Sequence, residues 1–249
     1  MTTRGKIRTM AVAALALAAA SAQALTVDWN GFAAGHQTVT VGEANDGLNR
    51  TVHAGAFNVA INGQNFVTYC VELTQYAFDG PLNYTLMNGV DYFNTNYSPA
   101  LALGANPGAT IVDRLGRLFT VLGGIGTPTA MGPNYSASEV SAAIQVAVWE
   151  SVYEGNNALS VSGAQNDATN KFRVADGPAD VITLANSLLA QAANVSSAFT
   201  VSVVRYGVQP STAQAQDYLL IQRVPEPATL ALVTAALAGI GFTRRRRSS

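Results

Sequence analysis

Cysteine is nearly absent from this chain, since 249 residues contain a single one, Cys70. One cysteine excludes an internal disulfide, so the thiol is free, bonded to another chain or chemically committed in some other way. On composition alone a buried, inert thiol is favoured, because unpaired cysteine packs as a small hydrophobe. The residues around Cys70 must decide between these fates.

Histidine is almost as rare, with only His36 and His53. Either could be combined with Cys70 into a cysteine hydrolase, but the surroundings typical of such a nucleophile are absent, and lone histidines are usually structural or exposed. No set of cysteines and histidines has the spacing of a metal site. We therefore predict no metal, no cofactor and no turnover enzyme.

Charged residues make up only 12% of the chain, and acidic pairs are correspondingly few. Asp79 and Asp91 are predicted to lie in loops, and Glu150 and Glu154 on a solvent-facing side of a helix. Such placements do not support the two facing carboxyl groups of a glycosidase.

Apolar residues are abundant at 49%, and both ends of the chain contribute to this excess. At the start, three basic residues precede the apolar run 10–20, which is followed by small residues ending at Ala24. This order is typical of a secretory signal peptide, and we expect cleavage after Ala24. An uncleaved anchor is the alternative, although the run is short for a membrane span.

The other end carries Pro225, Glu226 and Pro227, then the apolar segment 228–242, then four arginines at 244–247. The segment is about 15 residues long against about 20 for a usual span, and the arginines fit a cytoplasmic stop-transfer signal. This tripartite end resembles the PEP-CTERM sorting signal. The resemblance implies processing by an exosortase, in the envelope of a Gram-negative bacterium that exports polysaccharide. A plain tail anchor is the alternative.

The body between these signals is acidic. Seven basic residues remain there against fourteen acidic ones, for a net charge of about −7. A surface of this sign does not favour nucleic acid as a partner.

The body begins with alternating apolar and polar residues, which predict strands. Segments 52–61 and 66–73 read as two strands joined by a tight hairpin at 62–64, and 84–87 as a further short strand. In the second strand, alternation places Cys70 on the less apolar face. Residues 91–109 read as a loop.

Helical spacing follows. Apolar residues from Ile111 to Leu122 predict a helix with Asp113, Arg114 and Arg117 on its polar side, ended by the glycines at 123–126. Ser136 and Glu139 form a capping box that predicts a second helix over 137–154. Segment 155–177 reads as a loop, 179–193 as a helix, and 199–206 and 217–222 as strands that return to the first ones.

On the second helix, Gln145 and Trp149 are predicted at the border of the apolar stripe, away from the acidic side chains. A Gln amide at a packed border costs free energy unless its polar atoms find partners. An ordinary hydrogen bond from Gln145 to a loop is one explanation.

Two short motifs give another explanation for the position of Gln145. Residues 68–73 read TYCVEL and residues 143–150 read AIQVAVWE. Together they resemble the paired signature of the bacterial surface thioester domain family. The resemblance implies that Cys70 and Gln145 condense into an intramolecular thioester, with Tyr69 and Trp149 as candidates for the walls of its pocket; both aromatics could equally be plain core residues.

The expected organisation is a signal peptide at 1–24, a thioester-type domain at 25–222 and a sorting signal at 223–249. The expected fold is α+β, with β-sandwich-like strands and an inserted helical section. Two functions remain open. One is single-use covalent attachment to amine or hydroxyl groups of a surface protein, matrix or exopolysaccharide. The other is a structural envelope protein, sorted in the same way, with no thioester.

Overall fold

A computed structural model describes residues 24–43, 48–97, 103, 106–155, 158–162, 171–207 and 215–224. The predicted signal peptide up to residue 23, the Pro225–Glu226–Pro227 motif and the apolar segment 228–242 lie outside these ranges. Among the helices within them, none combines the length and the apolar character that a membrane crossing requires.

The body is rich in sheet and carries four helices in the described ranges. The strands are β1 (Ala24–Phe32), β2 (Gln37–Glu43), β3 (Leu48–Ala54), β4 (Phe57–Ile61), β5 (Gln64–Thr68), β6 (Leu82–Asn88), β7 (Phe172–Asp176), β8 (Phe199–Tyr206) and β9 (Tyr218–Arg223). The helices are α1 (Gly89–Tyr97), α2 (Pro107–Val121), α3 (Ala137–Tyr153) and α4 (Ala179–Ala192). The mixed composition expected from the sequence is therefore present, with the first three helices between the early and the late strands.

Two antiparallel sheets organise these strands. The larger has the order β5-β4-β1-β6-β8-β9, and the smaller has the order β3-β2-β7. The late strands β8 and β9 return to the first ones through the pairing of β8 with β6, as predicted.

The two edges of the larger sheet meet. Beyond β5 the chain forms an isolated antiparallel bridge between Cys70 and Tyr218, at the start of β9. On either side of the bridge, Leu219 N–H donates to Tyr69 O and Val71 N–H donates to Asp217 O, both at 3.1 Å. This contact satisfies backbone groups that an open edge would leave unpaired.

The predicted strand over 52–61 is wrong as a single element. It divides at Gly55 into β3, in the smaller sheet, and β4, in the larger one. A Cβ on Gly55 would lie 2.7 Å from Gly35 O and 3.2 Å from the Ser141 Oγ of α3, so only glycine fits this crossing. The hairpin turn at Asn62 and Gly63 is confirmed.

Two predicted loops contain regular structure. Helix α1 covers most of the first half of the predicted loop over 91–109, although its Asn, Thr and Tyr residues are weak helix formers. Its Tyr92, Phe93 and Tyr97 are buried, and tertiary packing outweighs local propensity. Strand β7 lies within the predicted loop over 155–177 because it pairs with β2.

Helix α3 is the centre of the fold. It begins at the predicted capping box, in which the Ser136 side chain and the Glu139 side chain each bond the other's backbone N–H. Every residue from Val140 to Tyr153 is buried. The helix packs against α2 and α4 and against all three strands of the smaller sheet.

The predicted solvent face of α3 is consequently wrong. Glu150 and Glu154 have no exposed surface. Arg114, expected on the polar side of α2, is also buried and donates to Glu154 O at 2.7 Å. The helical period identified the apolar stripe correctly, but neighbouring elements cover the opposite side of the helix as well.

Candidate functional site

Cys70 lies just beyond the end of β5, where the edges of the larger sheet meet. The strand alternation that placed it on a less apolar face does not apply, since β5 ends at Thr68 and both Tyr69 and Val71 are buried as well. Cys70 is 5% exposed. Burial raises the pKa of its thiol well above the usual value, so the sulfur is held as the neutral thiol.

Gln145 projects from the middle of α3 directly onto the backbone of Cys70. Its Oε1 accepts the Cys70 N–H at 2.9 Å, and its Nε2 donates to Cys70 O at 3.0 Å. The side-chain amide thus pairs with the peptide groups of Cys70 much as a neighbouring strand would. This pairing satisfies an amide with 0% exposure and holds its carbonyl carbon beside the only cysteine.

A groove of about 580 Å³ opens at Cys70. It is lined by Trp29, Phe32, Arg50, Thr51, Val52, His53, Phe57, Cys70, Glu72, Leu73, Gln75, Tyr76, Ala77, Trp149 and Gln216. Trp149, one of the two predicted wall residues, lies in this lining. Tyr69 does not; it is 1% exposed and packs against Phe119 with ring centroids 6.0 Å apart, as a core aromatic.

The two tryptophans of the groove share an unusual feature. The indole Nε1 atoms of Trp149 and Trp29 are buried and have no hydrogen-bond partner in the part of the chain that the structure describes. A buried N–H without an acceptor costs about 1–3 kcal/mol, so such groups are rare without a role or an occupant.

The end of the chain is assigned by comparison with known families. Residues 223–247 match the PEP-CTERM protein-sorting motif. The chain carries a PEP-CTERM sorting signal. The match contains Pro225, Glu226 and Pro227, and it implies an exported, envelope-associated protein that an exosortase processes.

The body of this PEP-CTERM protein has a similar solved structure, the N-terminal thioester domain of a surface protein from Clostridium perfringens, in a cysteine-to-alanine mutant. The two share 12% identity with a TM-score of 0.42, over 76% of this chain and 99% of the other. No curated protein matches the sequence.

The two histidines form a pair near the strand β3 side of the groove. Their rings contact each other, with centroids 4.3 Å apart, and His53 Nδ1 lies 3.3 Å from Thr38 Oγ1. His53 lines the groove, but within the described ranges neither ring is hydrogen-bonded to Cys70. Burial, and then the neighbouring His53, lower the pKa of His36.

An acid pair was not predicted from the sequence: Asp217, which is buried, and Glu72, which is half-buried and lines the groove. Tyr92 O–H lies 2.6 Å from Asp217 Oδ2 and 2.9 Å from Glu72 Oε1, and Tyr153 O–H donates to Glu72 Oε2 at 3.2 Å. A phenol has one hydrogen, so Tyr92 can donate to only one carboxylate at a time. Burial raises the pKa of Asp217 to about 6, and a proton on this acid would supply the missing donor.

The acid pair fixes the segment that carries Cys70. Asp217 Oδ1 accepts the Tyr206 N–H at 2.7 Å, which ties β8 to β9, and Asp217 O accepts the Val71 N–H. The interacting residues are separated by up to 145 positions, between Glu72 and Asp217, and of these only Glu72 lies in a motif singled out from the sequence. No spacing rule in the sequence could have found them.

Proposed function

We propose that this PEP-CTERM protein forms a thioester between Cys70 and Gln145 and uses it once, to attach covalently to a partner on the cell surface. The hydrogen bonds between the Gln145 amide and the Cys70 backbone carry the proposal. They hold the acyl group against the residue that carries the nucleophile, across 75 positions of sequence, and both residues are buried. Fixing two reactants in this way replaces a bimolecular encounter by an intramolecular step.

Thioester formation requires no outside reagent. The Cys70 sulfur attacks Gln145 Cδ, a carbon–sulfur bond forms, and the carbon–nitrogen bond breaks. The nitrogen leaves as ammonia, with its two amide hydrogens and the thiol proton. Burial then slows hydrolysis of the product.

In the attachment step the Cys70 sulfur is the leaving group. An amine or hydroxyl of the partner, reaching Gln145 Cδ through the groove, forms an amide or ester bond, and the carbon–sulfur bond breaks. The partner's proton passes to sulfur and restores the thiol. Because the acyl group is consumed, the protein is a single-use acyl donor and not a turnover enzyme.

The sorting signal bears on the choice of partner. We propose that the apolar segment 228–242 holds the protein at the inner membrane until an exosortase processes it. The body would then reach the envelope, the cell surface or the extracellular matrix, where exopolysaccharides and surface proteins offer hydroxyl and amine groups.

Intact mass spectrometry tests the thioester directly. The wild-type protein should weigh one ammonia less than its sequence, whereas Cys70→Ala and Gln145→Ala should have their full sequence masses. Gln191→Ala, on the exposed side of α4, is the matched control and should retain the deficit. Methylamine should add to the wild type and expose one thiol.

The thiol must be counted after rapid denaturation, because a free but buried Cys70 would also resist alkylation in the folded protein. Because the chain has one cysteine, each molecule contributes either one titratable thiol or none. If the wild type has its full sequence mass and one titratable thiol, it contains no thioester. The alternative function, a structural envelope protein, would then stand.

A further inference from the structure

In the described part of the chain, the carbonyl oxygen of Gln145 can accept one more hydrogen bond, and the indole N–H of Trp149 has no acceptor. Gln145 Oε1 accepts one hydrogen bond, from the Cys70 N–H, although a carbonyl oxygen can accept two. Trp149 Nε1–H is buried and has no acceptor within the described ranges. Among the described residues, therefore, one lone pair of Oε1 and the indole N–H are both left without a partner.

Both side chains project from the same side of one helix. Trp149 follows Gln145 by four residues in α3, which places the two side chains one above the other. Trp149 is 3% exposed and lines the same groove as Cys70. The unpaired indole donor therefore belongs to the surroundings of the Cys70–Gln145 pair.

We propose that Trp149 Nε1–H is the second donor of an oxyanion hole, acting with the Cys70 N–H on Gln145 Oε1. The inference rests on the proposed thioester. When sulfur attacks Gln145 Cδ, the carbonyl π electrons move onto Oε1, which becomes a tetrahedral oxyanion able to accept more donors. The same oxyanion forms again when an amine or hydroxyl opens the thioester.

An unpaired donor is effective in this role. In the amide form its N–H has no partner to give up, so it is available to the thioester carbonyl, and a hydrogen bond that strengthens as negative charge develops on the oxygen favours the transition state over the ground state. Trp29 is a poorer candidate although its N–H is also unpaired. It lies on β1, where its ring makes edge contacts with Phe32 and Phe57 at 6.2 and 6.0 Å.

Replacement of Trp149 by Phe removes the N–H and retains an aromatic ring. We expect Trp149→Phe to form the thioester more slowly and to react with methylamine about 100-fold more slowly, the effect of losing one oxyanion donor. Rates are followed by intact mass, as loss of ammonia and then gain of methylamine.

Infrared spectroscopy separates a hydrogen bond from a packing effect. Loss of a donor should move the thioester carbonyl band to higher frequency in Trp149→Phe, whereas Trp29→Phe should leave the band in place. A purely structural role for Trp149 would slow the reactions without this selective shift.

Benzothienylalanine covers the case in which Trp149→Phe does not fold. It keeps the bicyclic shape of tryptophan and lacks the N–H, and in a Trp29→Phe background it would enter only at position 149, because the chain has two tryptophans. Unchanged rates and an unchanged band in a thioester-containing variant would overturn the role of Trp149 alone. A wild type without the ammonia deficit would overturn the proposed function as well.

Discussion

Gln145 is a fully buried amide whose polar groups are matched to the backbone of one residue. Both motifs were visible in the sequence, and the structure brings their two central residues, Cys70 and Gln145, into contact. What the sequence could not predict is how they meet. The partner groups on Cys70 are its N–H and C=O, which every residue has and no motif records.

The first prediction concerns this amide in the absence of any covalent bond. In a Cys70→Ala background, Gln145→Ala should lower the free energy of unfolding by about 3 kcal/mol, because a buried N–H and a buried C=O lose their partners. Urea denaturation measures the difference. Gln191→Ala in the same background should change stability by less than about 0.5 kcal/mol, as expected for a surface site. Equal effects of the two substitutions would contradict the assigned role of the amide.

At the scale of elements, the apolar periodicity of α3 predicts the helix and one of its buried faces, but not the burial of its other faces. The capping box and the period of 3.6 residues located the helix and its apolar stripe. They could not show that α4 and the smaller sheet cover the remaining faces, since those contacts are long-range. Glu150 and Glu154 were therefore placed in solvent, where identical residues on a half-exposed helix would lie.

The capping box gives a prediction for the start of this helix. Ser136→Ala removes the acceptor for the Glu139 N–H and should destabilise the protein by about 1 kcal/mol. The midpoint of urea denaturation should fall without a change in slope. Thr183→Ala, on the exposed side of α4, is the control and should not lower the midpoint. A midpoint unchanged by Ser136→Ala would show that the cap contributes nothing to the folded state.

The buried end of α3 gives a prediction about pH. Burial, and then Glu154, raise the pKa of Glu150 to about 8, from an ordinary value of 4.5. Between these values the unfolded chain releases this proton while the folded protein retains it. Stability should therefore fall as pH rises, by up to about 1.4 kcal/mol per pH unit.

The window from pH 6.5 to 8 isolates this effect. Titration of Asp217, whose pKa is raised to about 6, also makes stability fall as pH rises, but only below that window. His36, whose pKa is lowered from 6.5, acts in the opposite direction and also below it. Glu150→Gln should flatten the decline measured by urea denaturation, while Asp217→Asn should retain it. A decline of equal slope in Glu150→Gln would assign the effect to another group.

At the scale of the whole molecule, the Cys70–Gln145 contact joins the part of the fold where the sheet edges meet to its central helix. The sequence predicted the strands that build this junction but not the closure itself, because no local pattern encodes the bridge from Cys70 to Tyr218. A covalent bond at this point would close a loop of 75 residues. Such a cross-link restricts the unfolded chain and stabilises the folded one by up to about 4 kcal/mol in the loop-entropy treatment.

Opening the thioester should therefore weaken the protein. Treatment with methylamine leaves an N-methyl amide on Gln145, which can still accept and donate a hydrogen bond, so the main loss is the cross-link. We expect the melting temperature of the wild type to fall by about 10 °C, as the loss of about 4 kcal/mol implies for a domain of this size. Calorimetry before and after treatment measures the change, and Cys70→Ala, which should melt near the treated wild type, must not respond to methylamine. A wild type that takes up methylamine with no change in melting temperature would mean that the thioester is reactive but does not stabilise the folded protein.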